Sequence, residues 1–223
     1  ARLNVVYLDM ASVFYGELAG RLPAHTPRAY CDPVMPPVER ECDEDLMLAY
    51  RDGNVRAFDE LYRRHKAPLY RYLVRQCRDS AIAEELFQDI WANLIRARSS
   101  YTVAARFTTY LYRLAHNRLI DHYRRQASTA LVSFDDEDAA LPDIAADTQH
   151  EPEKAYEVKE QAARLLQVLA ALPPAQREAF ILQHEVGMSI EDIAAATDVT
   201  RETAKSRLRY AMAKLREGMR GWL

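Results

Sequence analysis

The sequence predicts an all-α protein of two helical domains, an N-terminal helical bundle and a C-terminal helix-turn-helix, joined by a flexible acidic linker. Apolar residues recur at three- and four-residue steps along most of the chain, and few stretches alternate with period two. Only 6 glycines occur in 223 residues, too few for a turn-rich β architecture. An acidic, proline-broken stretch from Ser128 to Glu153 divides two helical regions.

Residues 1–42 are expected to form a disordered N-terminal extension, because they lack steady periodicity and contain Pro23, Pro27, Pro33, Pro36 and Pro37. Val5–Leu22 is their most apolar piece, but Asp9 and Glu17 interrupt it, which argues against a signal peptide. Met35 stands just before the first helical pattern, and a natural start near it is one expectation.

The first domain is placed at 43–127. Leu46, Met47 and Tyr50, then Phe58, Leu61 and Tyr62, then Leu69, Tyr70 and Leu73 follow helical spacing. Gly53-Asn54 marks a break, and Pro68 is suited to open a new helix at its first turn. Further helices are predicted at about Ser80–Arg98 and Phe107–Gln126. The linker is placed at 128–153 and the second domain at 154–223. There, helical spacing resumes at Tyr156, stops at Pro173-Pro174, and continues from about Ala175 to Val186 until Gly187.

Charge is segregated although the net charge is only −3. Arg96–Arg125 holds seven Arg against one Asp, with Tyr101, Phe107, Tyr110, Tyr112 and Tyr123 interleaved. Ser128–Ala155 holds eight acids against Lys154, and Arg201–Leu223 holds seven basic residues against Glu202 and Glu217. Two basic blocks separated by an acidic one suggest two nucleic-acid contacts. Charge segregation of this kind also arises on plain solvated helix faces.

The pattern that carries most weight begins at Gly187-Met188-Ser189. Ser189 can cap a helix with Asp192 at its third position, a capping-box variant. Thr197-Asp198-Val199 forms a turn, and Thr200 can cap the next helix. There Ala204, Leu208, Ala211 and Leu215 share one face, while Arg201, Lys205 and Arg209 share another. One stripe packs and the other is basic, as a recognition helix in the major groove requires. Lys and Arg reach guanine edges or phosphates, and Glu202, Thr203, Ser206 and Arg207 can add polar contacts.

Leu172-Pro173-Pro174-Ala175-Gln176-Arg177-Glu178-Ala179-Phe180, Gly187–Ala194 and Thr203–Leu208 resemble the C-terminal domain of extracytoplasmic-function RNA polymerase sigma factors. Ala83–Trp91 resembles their polymerase-docking helix, and Phe107–Asp121 their promoter-melting helix. The two motif sets stand in family order and span about residues 43–220. The resemblance implies a cytoplasmic protein that binds core RNA polymerase, recognises −35 and −10 promoter elements and promotes melting. It implies that Glu85, Gln88, Asp89 and Trp91 contact the clamp of the largest polymerase subunit. Physically, Ser80–Ile95 contains no Lys or Arg, so Glu85, Gln88 and Asp89 can form an acidic face opposite Leu86, Ile90 and Leu94.

For the −10 element the resemblance implies that Arg98, Ser99, Ser100 and Tyr101, with Leu114 and Asn117, cup a flipped base. Tyr110, Arg113 and Arg118 complete the surface, since stacking rings and cations hold single strands. Tyr110 stands where relatives usually carry Trp. The two elements lie about two DNA turns apart, roughly 70 Å at ~34–36 Å per turn. A linker spanning 128–153 reaches roughly 90 Å when fully extended. The resemblance also implies a linker threaded through the polymerase channel and an anti-sigma partner.

No cofactor, metal site, catalytic group or membrane insertion is expected. The sequence shows no Walker, GxGxxG, HExxH or nucleophile-elbow pattern, and it contains no run of 18 apolar residues. Cys31, Cys42 and Cys77 lack metal or disulfide spacing and suit a reducing compartment. His116, His122 and His150 are read as isolated surface residues, and Cys77 as a core thiol. The residues alone leave three alternatives open: a stand-alone helix-turn-helix repressor, a metal-dependent nuclease, and a polymerase-binding protein that does not read promoters.

Overall fold

The computed structural model describes residues 41–130 and 152–220, with side chains at 41–126 and 160–220. The proposed extension 1–42 and linker 128–153 therefore fall almost entirely outside the described residues. All regular structure among those described is helical. The helices are α1 (Asp43–Arg51), α2 (Val55–Cys77), α3 (Ser80–Ala97), α4 (Phe107–Ala130), α5 (Pro152–Ala170), α6 (Pro174–His184), α7 (Ile190–Ala196) and α8 (Arg201–Gly218). A 3₁₀ turn at Arg98–Ser100 follows α3.

Two compact units result. The first contains residues 41–130 and 172–212, hence α1–α4, α6, α7 and most of α8. In it α1 packs on α2 and α4, α2 on α3, and α3 on α4, closing a four-helix arrangement. Its core is the expected one: Leu46, Met47, Leu61, Leu69, Leu73, Leu86, Ile90 and Leu94 are all buried. The second unit contains residues 152–171 and 213–220, the helix α5 and the end of α8. Here Gly218 permits close approach, since a Cβ on it would stand 2.6 Å from Cγ1 of Val168.

Helix boundaries follow local chemistry. Asn54 accepts from the Arg56 amide and Asp79 from the Ala81 amide, so each satisfies an orphan donor at a helix start. Pro68 does not open a helix. It lies inside α2, which runs unbroken for 23 residues. Proline removes one backbone bond from the Arg64 carbonyl. Leu61, Leu69, Tyr72 and Leu73 stay buried on both sides of it, and this packing holds the helix together.

Candidate nucleic-acid interface

The helix-turn-helix forms through the caps that its sequence offers. Oγ of Ser189 accepts from the Asp192 amide at 3.1 Å, and Oγ1 of Thr200 accepts from the Thr203 amide at 3.2 Å. Gly187 takes φ +78°, and Asp198 reverses the chain at φ 51°, a conformation that Asp and Asn tolerate better than other side-chain-bearing residues. Ala204, Ala211 and Leu215 are buried along α8 and Leu208 is half-buried. Arg201, Glu202, Thr203, Lys205 and Arg209 are exposed, with Ser206 and Arg207 half-buried at the edge. The Arg209 guanidinium lies 5.2 Å from the centre of the exposed Tyr210 ring. Arg201 is engaged by Glu191 and lies 3.6 Å from Glu202. These carboxylates raise its pKa, and Arg201 lowers that of Glu191.

On α4, Arg113 and Asn117 are exposed and Tyr110 and Leu114 half-buried, as a mixed cationic and apolar surface needs. Arg98, Ser99 and Ser100 are exposed on the 3₁₀ turn, with Arg98 lying 5.4 Å from the centre of the Tyr50 ring. Tyr101 is buried. Its ring meets Tyr110 edge-on at 5.2 Å, and burial pushes its hydroxyl up to about 12. It thus forms the floor beneath Tyr110 rather than an outward platform. Arg118 is held by Asp89 of α3, so one assigned DNA residue is paired with one assigned docking residue.

The acidic face of α3 is present. Glu85 and Gln88 are exposed, and Asp89 is half-buried beside Arg118. Trp91, assigned with them, lies beneath. It is 5% exposed within a ring cluster of Phe58, Tyr62 and Phe87. It sits one turn after Gln88 at the flank of the acidic stripe and turns its ring onto those aromatic side chains, since burying a large ring outweighs the gain of exposing it.

A further set of groups joins α6 and α7 to the first helices. Oε1 of Glu178 accepts from the Tyr72 hydroxyl at 2.5 Å and lies 2.9 Å from Nδ1 of His116. Burial and the Glu178 charge hold the Tyr72 hydroxyl well above its usual pKa. Arg177 donates to the Gln76 carbonyl at 3.0 Å, and that carbonyl also accepts from the Tyr123 hydroxyl at 2.8 Å. Burial lowers the pKa of Arg177. Arg75 pairs with Glu185 at 2.7 Å, and Thr109 donates to Asp192 at 3.0 Å. His116 is therefore a bound, half-buried group and not an isolated surface histidine. Cys77 is half-buried, and burial pushes its thiol up to about 11.

The family description "Sigma-70 region 2" matches residues 61–129, and "Sigma-70, region 4" matches 162–215. RNA polymerase sigma factor CarQ of Myxococcus xanthus is 33% identical over 171 residues, 77% of this chain and 94% of the relative. ECF RNA polymerase sigma factor SigM of Mycobacterium tuberculosis (strain ATCC 25618 / H37Rv) is 31% identical over 173 residues, 78% of this chain and 82% of the relative. This chain belongs to the extracytoplasmic-function (ECF) family of RNA polymerase sigma factors. The sigma factor acts in transcription initiation, binds core polymerase and promoter DNA, and is not an enzyme.

Its fold resembles that of CnrH in complex with the cytosolic domain of CnrY, with TM-score 0.59 and 22% identity over 81% of this chain and 99% of the other. It also resembles RpoE in complex with the anti-sigma factor NepR from Bartonella quintana, with TM-score 0.57 and 22% identity over 73% and 96% of the two chains. Region 2 of the sigma factor thus spans α2–α4, and region 4 spans α5–α8. Sequence reasoning assigned no role to Tyr72, Gln76, Arg177, Glu178 or Glu185. Adjacent charges at 177 and 178, between Ala175 and the buried Ala179 and Phe180, were the available signal.

No described helix is long and apolar enough to cross a membrane. Among the described residues no group of three His, Cys, Asp or Glu side chains could hold a metal.

Proposed function

We propose that this sigma factor works in the cytoplasm and reads the −35 element through Arg201, Glu202, Thr203, Lys205, Ser206, Arg207 and Arg209 of α8. The −10 element is read and melted at Arg98, Ser99, Ser100, Tyr101, Tyr110, Arg113, Leu114, Asn117 and Arg118. Glu85, Gln88 and Asp89, supported by Trp91, dock on the clamp of the largest polymerase subunit. The functional domains are 43–127 and 154–223, joined by the acidic linker 128–153, and the two family matches support this division. The chain preceding residue 43 lies outside both reading domains. The structural likeness to RpoE bound to an anti-sigma factor favours a partner of that kind here.

The observation that carries this reading is the capped helix α8, which exposes Arg201, Lys205 and Arg209 opposite buried Ala204 and Ala211. The experiment is promoter footprinting by polymerase reconstituted with wild-type protein or with Arg201→Glu/Lys205→Glu/Arg209→Glu. Protection at the upstream element is expected to vanish in the triple variant, while the variant still co-purifies with polymerase. Unchanged upstream protection would remove α8 as the −35 reader.

A further inference from the structure

The helix α4 begins without a cap of its own. Arg106 stands just before its first turn, where its carbonyl accepts from the Tyr110 amide at 3.1 Å, but an arginine side chain carries donors only. The missing acceptor comes from α1. Oε1 of Glu44 accepts from the Phe107 amide at 2.6 Å across 63 residues of sequence. A carboxylate here satisfies an orphan donor and opposes the positive end of the helix dipole. Charge-assisted bonds of this length are the strong ones.

The same helix holds the other end of the segment that precedes α4. Nη1 of Arg51 donates to the Tyr101 carbonyl at 3.4 Å, a long and weaker bond, while its Nε is engaged by Asp52 at 2.8 Å. Beside it, Tyr50 carries the Arg98 guanidinium over its ring. The Tyr101 hydroxyl has no hydrogen-bond partner among the described residues, so Tyr101 is fixed by its carbonyl and by ring packing on Tyr110. Between these anchors residues 102–106 are all exposed. Their orientation therefore depends on how the two ends are held. α1 is itself well anchored: Asp43 pairs with Arg64 of α2 at 2.7 Å and lies 2.7 Å from Nε2 of His65, and Leu46, Met47 and Tyr50 are buried.

We propose that α1 is a brace that sets base selectivity at the −10 element, with Glu44 and Arg51 as its positioning residues. Neither touches DNA. They hold the Phe107 amide and the Tyr101 carbonyl, and so fix the turn that carries Arg98, Ser99 and Ser100 against the α4 face that carries Leu114 and Asn117. A pocket for one base discriminates only when its walls stand within about 0.5 Å of the matching geometry. Releasing a hold weakens the correct base more than a wrong one, which already lacks its matching contacts. α1 precedes the residues 61–129 that match region 2, so the family match does not cover it. This inference rests on the assignment of residues 98–101, 114 and 117 to the −10 element.

The test uses the full chain reconstituted with core polymerase. Initiation is measured on the −10 sequence that wild type selects from a library randomised there, and on its single-base variants. Glu44→Ala is expected to lower the preference for the selected sequence by about tenfold, with co-purification with polymerase and protection of the upstream element unchanged. Glu44→Gln, whose side-chain oxygen still accepts from an amide, is expected to keep most of the preference. Arg51→Met is expected to lower it by about threefold. Asn54→Ala removes the cap of α2 in the same domain and controls for lost stability: it should lower initiation on all templates alike and leave the preference intact. An unchanged preference in Glu44→Ala overturns the brace, as does an equal loss of preference in Glu44→Ala and Asn54→Ala. Should Glu44→Ala fold too poorly to assay, Arg51→Met decides, and an unchanged preference there overturns the proposal. Arg98→Ala and Asn117→Ala separate the brace from the reading beneath it. If neither alters the preference, the −10 surface is misassigned; if they do and the α1 variants do not, the brace alone fails.

Discussion

Arg201, Lys205 and Arg209 share a stripe, but Arg201 is already engaged by Glu191 and Glu202. Binding DNA with Arg201 therefore exchanges one set of anions for another, while Lys205 brings its charge to phosphate more directly. Each phosphate neutralised contributes about 0.9 to the slope of log affinity against log salt. Lys205→Ala is expected to lower that slope by nearly this amount in reconstituted polymerase, and Arg201→Ala by less. Equal losses, measured by salt titration of promoter binding, would mean that the Glu191 pair does not compete with DNA. Glu60 illustrates a different residue-level effect. Arg63 and Arg64 hold its carboxyl down to about 2. With its folded pKa below the ordinary 4.5, its contribution to stability is full above that value and is lost as pH falls through about 2. The melting-temperature difference between wild type and Glu60→Gln should therefore be constant near neutrality and close between pH 4.5 and 2. A difference that grows on acidification would contradict the assignment.

At the scale of elements, α7 depends on its cap, since it has only seven residues and Ser189 serves its first turn. Ser189→Ala is expected to cost about 1 kcal/mol, read as a shift in the chemical-denaturation midpoint. Asp198 adopts φ 51°, so Asp198→Gly should be nearly neutral and Asp198→Val clearly destabilising. The reverse order would show that the turn relaxes to another conformation. These features were legible in the sequence because caps and turns are local: Ser189, Thr200 and Gly187 act through neighbours within a few residues. Pro68 was misleading for the same reason. Its local signal marks a helix start, but tertiary packing of Leu61, Leu69 and Leu73 carries α2 through it. The stripes of α3 and α8 were legible from periodicity alone. Periodicity could not reveal that Trp91 and Tyr101 are buried, because that depends on helices distant in sequence.

At the scale of the molecule, the pairs Tyr72–Glu178 and Arg177–Gln76 span more than a hundred residues. No spacing rule links such positions, and this is why the joint between α6 and the first helices was invisible in the sequence while the family motifs around it were plain. The α3 face adds a second long-range feature, since Asp89 belongs to the proposed docking stripe and also pairs with Arg118. Glu85→Lys is consequently the cleaner probe of polymerase docking. It should weaken co-purification with core polymerase without altering single-strand binding by α4, whereas Asp89→Lys should disturb both. Identical behaviour of the two variants in paired pull-down and single-strand binding assays would show that the Arg118 pair has no part in presenting α4.

The central claim is that one chain docks on polymerase through α3 and selects promoters through α4 and α8. Run-off transcription with bacterial core polymerase on a random-sequence promoter library tests it most directly. Discrete start sites are expected that require this protein, disappear with Glu85→Lys/Asp89→Lys, and share an upstream element whose identity changes when Lys205 or Arg209 is substituted. Absence of initiation, together with tight and specific DNA binding by the isolated chain, would contradict it.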